Sequence, residues 1–252
     1  NGVLATAERG PNQDNCSAST FVAGADYLRT TSITSSASKL FTFNINIVRN
    51  STSAIYAFEL DTSGVVRVMY AAVSGTLTIK NSSGTNICLL NTSSVAEITD
   101  SIGVNYNLTI SGNLADVSTL NIFVNGRDVK SSYNINTYTN DTMPSHGGSS
   151  VNAWIADAPS NATIGEIYWD TTYTDLATSN PFWDSDTNLP NSVRKVIADT
   201  SVTPAIAMPL IGSDAGNNLG SGGDFTVTSG PFTGARGGSE FWARSADFNG
   251  ST

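Results

Sequence analysis

Few residues of this 252-residue chain could do chemistry, and their spacing narrows the choice. Glu166 and Asp170 come nearest to a catalytic carboxylate pair. On a regular strand they face the same side, about 13 Å apart at roughly 3.3 Å per residue. Glycoside hydrolysis wants carboxyl groups about 5.5 Å apart for retention and up to about 9.5 Å for inversion. The whole chain holds five Glu residues, none paired at short spacing, which argues against an enzyme. A pair assembled from distant Asp residues stays open. His146 is the only histidine; set in a Ser/Gly loop, it reads as solvated rather than as a base. No Gly-x-Ser-x-Gly elbow is present, and the glycine cluster at 220–223 lacks the Lys and the helix of a phosphate-binding loop.

Two patterns could bind rather than react. Asp184, Asp186 and Asn188 reproduce the D-x-D-x-N opening of a calcium loop, whose alternating oxygens converge on a hard cation. The pattern then departs, with Leu189 where the turn glycine belongs and Lys195 where the bidentate Glu belongs. Ca2+ is thus the one cofactor suggested, set against a solvated Asp/Asn turn ahead of a helix. Trp169, Tyr173 and Trp183 lie near Asp170, with Phe182, Asp175 and Asn180 among them. Aromatic rings beside Asn and Asp suit a pyranose, which presents one apolar face and a ring of hydroxyls. The same aromatics would equally seal a core against the C-terminal part of the chain. Cys16 and Cys88 allow at most one bridge; two buried, inert thiols are the alternative, and no spacing suggests zinc. The N-x-Ser/Thr pattern begins at Asn15, Asn50, Asn81, Asn91, Asn107, Asn140, Asn161 and Asn249. With about a quarter of the residues Ser or Thr, roughly six such patterns arise by chance, so they do not establish secretion.

Strands must position these groups. The chain is 39% hydrophobic and only 13% charged, against about a quarter charged in an ordinary soluble protein. Asn, Ser, Thr and Gly make up the difference, and they favour turns and strands over helix interiors. A net charge of -9, with Lys and Arg scattered singly, argues against nucleic acid. No apolar run approaches the roughly 20 residues that span a bilayer as a helix. Ten Phe, eight Tyr and four Trp supply core material, which excludes disorder. Asn1 stands in place of an initiator Met and no signal peptide is visible, so the chain reads as a processed product or a fragment.

Period-two alternation dominates up to about residue 140. Phe41, Phe43, Ile45 and Ile47 share one face, with Thr42, Asn44 and Asn46 on the other. Similar runs place Tyr56 with Phe58 and Leu60, Val66 with Val68 and Tyr70, Leu77 with Ile79, Tyr106 with Leu108 and Ile110, and Leu120 with Ile122 and Val124. Asn125-Gly126 is a type I′ hairpin signal, and clusters at 61–64, 81–84 and 111–113 read as turns. The expected architecture is an antiparallel sandwich with Asn and Thr facing water. Residues 164–169 form a later strand, residues 191–197 a short helix capped by Asn188 or Asn191, and residues 224–228 a strand in a Gly-rich stretch.

Three stretches resemble the concanavalin A-like, laminin G-type jelly-roll domain. Residues 21–28 (FVAGADYL) are similar to its opening strand, with the glycine one place late. Residues 122–128 (IFVNGRD) resemble a later hairpin, and residues 164–175 (IGEIYWDTTYTD) the closing strand. The resemblance covers about residues 17–176. It implies an all-β, antiparallel jelly-roll sandwich over 17–176, an N-terminal extension over 1–16 and a C-terminal extension over 177–252 that packs back on the sandwich. Residues 219–230 (LGSGGDFTVTSG) resemble extensions of such domains in phage tail and other virion proteins. The last residues, 246–252 (ADFNGST), resemble the opening strand of a further repeat, against a chance recurrence of Asn, Gly and Ser. Hydrolases on this fold carry E-x-D-x-x-E on one strand, which IGEIYWD does not reproduce.

The expected function is that of a non-enzymatic structural or host-adhesion protein of a virion or phage particle. It would be located in the virion or outside the cell. Its partners would be further copies of itself or other virion subunits, or a surface glycan, with no nucleic acid and no membrane insertion. A secreted carbohydrate-binding lectin module and an unusual polysaccharide-active enzyme are the alternatives.

Overall fold

Strands that carry apolar side chains on alternate positions must pair their backbones and bury one face, and two such sheets solve the problem together. A computed structural model describes residues 19–228, apart from 22–26, 32, 51–54, 61–64, 72–73, 93–94, 96–97, 99–101, 146–152, 158–161 and 210–215. One sheet contains β1 (Ser19–Phe21), β3 (Leu40–Arg49), β8 (Asn105–Asn113), β9 (Asp116–Val124), β10 (Arg127–Asp128), β13 (Ala162–Asp170) and β16 (Ile206–Met208). Its order is β1-β13-β3-β8-β9-β10, and β16 takes the rest of the β13 edge beside β1. The other contains β2 (Tyr27–Thr30), β4 (Ile55–Leu60), β5 (Val66–Ala71), β6 (Ser74–Lys80), β7 (Asn86–Thr92), β11 (Tyr133–Tyr138), β12 (Ala153–Asp157) and β17 (Thr226–Thr228). Its order is β11-β7-β6-β5-β4-β12-β2-β17. Every pairing is antiparallel.

The main core lies between the sheets. Phe41, Phe43, Ile45 and Ile47 of β3 are fully buried, as their alternation requires, and join Phe58, Leu60, Val66, Val68, Leu77 and Ile79 from the opposite sheet. Trp169 spans the gap, its ring centroid 6.5 Å from Phe41 and 6.1 Å from Phe58. The Asn125-Gly126 turn is the expected type I′, with φ of 50° and 71° and Val124 paired to Arg127 across it.

Three local readings change. In β4 a bulge between Tyr56 and Phe58 breaks the alternation, so Ala57 is buried and Tyr56 lies under the Arg67 guanidinium instead, 4.9 Å from it. Residues 111–113 stay inside β8 as a second irregularity rather than forming a turn. The helix α1 runs Val193–Thr200, and its cap is Ser192, whose Oγ accepts from the Lys195 N–H at 3.2 Å. Asn188 instead sits in a left-handed turn, φ 56°.

The largest departure concerns the Asn/Thr faces. Thr42, Asn44, Asn46, Asn107, Thr109 and Ser111 do not face water; all are at most 2% exposed. Residues pair across β3 and β8, and Asn44 Nδ2 donates to Thr109 Oγ1 (2.7 Å), Thr109 Oγ1 to Asn107 Oδ1 (3.1 Å), and Asn107 Nδ2 to Asn46 Oδ1 (2.7 Å). The chain after β13 folds back over this face and builds a second, smaller core there from Phe123, Tyr168, Leu176, Phe182, Val193 and Val196. The Gly-rich stretch is held as firmly. Asn218 Oδ1 accepts from the backbone of Ala207 (2.9 Å) and Gly220 (3.0 Å), and a Cβ on Gly220 would meet the Pro204 carbonyl at 2.5 Å. Gly220 and Gly222 therefore serve close packing against the backbone at 204–205. The 246–252 segment and His146 lie outside the described residues.

A candidate binding cleft over the second core

A bulge in β13 decides what the outer face carries. Ile164 pairs with Ile47 and Ile167 with Ile45, so one extra residue is accommodated and both isoleucines point into the main core. Trp169 follows them inward, whereas Tyr168 turns outward into the second core. Glu166 also serves that outer side: its buried Oε2 accepts the Val193 N–H at 2.7 Å, at the start of α1. A carboxylate there satisfies an otherwise unpaired helix donor and opposes the positive end of the helix dipole.

The loop after β13 is stitched down by hydroxyls on this face. Ser38 Oγ donates to the Thr171 carbonyl (3.1 Å), Thr42 Oγ1 donates to the Thr172 carbonyl (2.8 Å), and Ser111 Oγ accepts the Thr174 N–H (2.9 Å). Asp175 then shapes a turn, Oδ1 accepting the Ala177 N–H (3.2 Å) and Oδ2 the Thr178 hydroxyl (2.7 Å). The chain returns beneath itself so that Phe182 meets Tyr168 edge to face, 4.9 Å between centroids.

Between this loop and α1 opens a cleft of about 410 Å³. Tyr173, Pro181 and Val202 give it partly exposed apolar surface above the buried Tyr168, Phe182 and Val196, and Thr172, Thr174, Thr178, Ser179 and Thr200 add hydroxyls around it. Tyr173 is steadied by Asn121 Nδ2, which donates to its Oη at 3.1 Å. Burial pushes the Tyr168 hydroxyl well above the usual tyrosine range, so it is neutral at physiological pH.

The aromatic group singled out in the sequence is thereby divided. Tyr173 lines the cleft. Trp169 does not: it is fully buried between the sheets and presents no face to a sugar. Asp170, 7% exposed, lies beneath the rim and accepts the Thr172 hydroxyl. Trp183, half-buried on β14 (Trp183–Asp184), packs against Gly126 of the β9–β10 turn and not in the cleft. Tyr168, Thr178, Ser179, Val196 and Thr200 were not anticipated. The spacing of Val193, Val196 and Thr200 on α1 was the available sign, since it marks one helix face.

The Asp184–Asn188 stretch is the tip of a small hairpin between β14 and β15 (Leu189–Pro190). Asp184 Oδ1 accepts the N–H groups of Asp186 (2.9 Å) and Thr187 (3.3 Å), an Asx turn. The Asp186 N–H holds the Asp184 carboxyl below the usual carboxylate range. Asp186 and Asn188 are exposed. Among the described residues, no three His, Cys, Asp or Glu side chains gather as metal ligands. Cys88 is a buried free thiol whose pKa burial raises, and Cys16 lies outside the described residues. No helix among the described residues is long and apolar enough to cross a membrane.

No protein-family model matches the sequence, and no curated protein matches it. Solved structures share its architecture. A Bacteroides ovatus protein to which carbohydrate binding has been ascribed superposes with a TM-score of 0.51 at 10% identity, over 88% of this chain and 61% of that one. The heptameric SAP-like pentraxin of Limulus polyphemus gives 0.44 at 12% identity, over 68% of this chain and 83% of that one. The binding domain of botulinum neurotoxin serotype G gives 0.43 at 13% identity, over 57% and 36%. This chain thus spans less than two thirds of the Bacteroides protein and of the neurotoxin domain. What it shares is the fold, an antiparallel jelly-roll β-sandwich, which in this chain carries a short helix and a Gly-rich stretch.

Proposed function

We propose that this chain is a non-enzymatic recognition module that holds a glycan against Tyr173 in the cleft between the loop after β13 and α1. The observation that carries the reading is the cleft itself. Its volume of about 410 Å³ falls in the range of small-ligand sites, and the partly exposed Tyr173 ring among threonine and serine hydroxyls suits the apolar face and the hydroxyls of a pyranose. The carboxylates nearby support binding rather than turnover. Glu166 caps α1, Asp170 accepts from Thr172, and Asp175 is engaged in its own turn. The setting we propose is a virion structural or host-adhesion protein, outside the cell, assembling with copies of itself or other virion subunits. Neutral polar loops on a rigid sandwich suit such display.

Glycan-array screening of the chain, followed by titration calorimetry of any hit, tests the reading. Tyr173→Ala is expected to weaken binding at least about tenfold, with an unchanged denaturation midpoint. Binding that ignores Tyr173→Ala, or no binding to any glycan, would refute the cleft. Turnover of a polysaccharide abolished by one Asp substitution would overturn the non-enzymatic reading. Native fractionation separates the settings, since recovery in particles fits a virion component and recovery as a free secreted protein fits a lectin.

A further inference from the structure

The charge around the cleft is one-sided. Among the described residues that line it, none is Lys, Arg or His. Asp175 stands exposed at its rim, and Asp170 lies directly beneath the Thr172 hydroxyl. On α1, Lys195 is paired with Asp199 on the next turn of the helix, and neither it nor Arg194 lines the cleft. The whole chain carries -9.

From this we infer that the cleft selects neutral glycans and rejects sugars bearing carboxylate, sulfate or phosphate, a specificity that rests on the glycan reading above. An anionic substituent entering the cleft gives up part of its hydration and meets hydroxyls and carboxylates where a counter-charge is needed. Neutral hydroxyls lose nothing comparable: Thr172, Thr178 and Thr200 already give their hydrogens to Asp170, Asp175 and the Val196 carbonyl and so accept from a ligand hydroxyl, as Tyr173 and Ser179 also can. Selection therefore works by exclusion, through the missing cation, as well as by fit.

The test uses matched pairs of oligosaccharides that differ only in charge: N-acetyllactosamine against its sialylated form, and cello-oligosaccharides against oligogalacturonates. At about 20 mM salt the acidic member is expected to bind at least tenfold more weakly. The gap should narrow at about 500 mM, where the Debye length falls below about 5 Å. Ser179→Lys, which puts a cation on the rim at an exposed position, should narrow it about threefold or more at low salt. Acidic members binding as tightly as neutral ones, or tighter, would overturn the inference and leave the glycan reading standing. Absence of binding by every member of both series, after an array without hits, would overturn both.

Discussion

Trp169 and Tyr168 are neighbours in sequence and belong to different cores. Trp169 touches Phe41 and Phe58 between the sheets; Tyr168 meets Phe182 on the far side. Truncating Trp169 removes the bridge between two sheets and leaves a large cavity. Trp169→Ala is therefore expected to lower unfolding free energy by about 3–5 kcal/mol, read from urea denaturation. Any loss of ligand binding in that variant should follow its loss of folded protein. A strand puts two such neighbours on opposite faces, but period two does not say which side is the principal core. The bulge at residues 164–167 shifts the register of everything after it, and a bulge has no strong sequence sign.

At the scale of the element, α1 is placed by one buried carboxylate. The eight-residue helix is too short to persist alone, so its position depends on Glu166, the Ser192 cap and the packing of Val193 and Val196. Glu166→Ala leaves the Val193 N–H buried without its acceptor and is expected to cost about 1–3 kcal/mol. Amide exchange should accelerate over residues 193–200 while β3 and β8 stay protected. Glu166→Gln, which keeps an acceptor oxygen, should recover part of the loss. Uniform acceleration across the sandwich would show that α1 is not a separable unit. The helix was legible from residues 191–197. Its capping partner, 27 residues earlier on β13, was not, because a tertiary hydrogen bond leaves no local pattern.

For the whole molecule, burial of neutral acids sets the alkaline limit. Burial raises the pKa of Cys88, and likewise of Tyr138 and Tyr168. The folded state keeps all three protonated where the unfolded chain ionises, so their contribution is intact at neutral pH and declines as pH rises past the unfolded values. Denaturant midpoints should accordingly fall from about pH 9 upward, as unfolded thiols and then tyrosines ionise. Cys88→Ala should lose some stability at pH 7 yet remove the earliest part of that decline, about 1–2 kcal/mol near pH 10. A midpoint that falls equally in both proteins would assign the decline to other groups.

Low charge, abundant Asn, Ser and Thr, and period-two runs were enough to determine a two-sheet antiparallel sandwich, its apolar face along each main strand and the Asn125-Gly126 turn. Those features are local, because backbone geometry imposes the period of two on any half-buried strand. Tertiary structure alone decided what became of the other face. Thr42 reads as solvent-facing in isolation and Ser111 as part of a turn, and a polar residue looks the same whether water or another chain segment satisfies it. Only the return of residues 171–200 over the sheet turned those hydroxyls into anchors, buried the Asn ladder and opened the cleft.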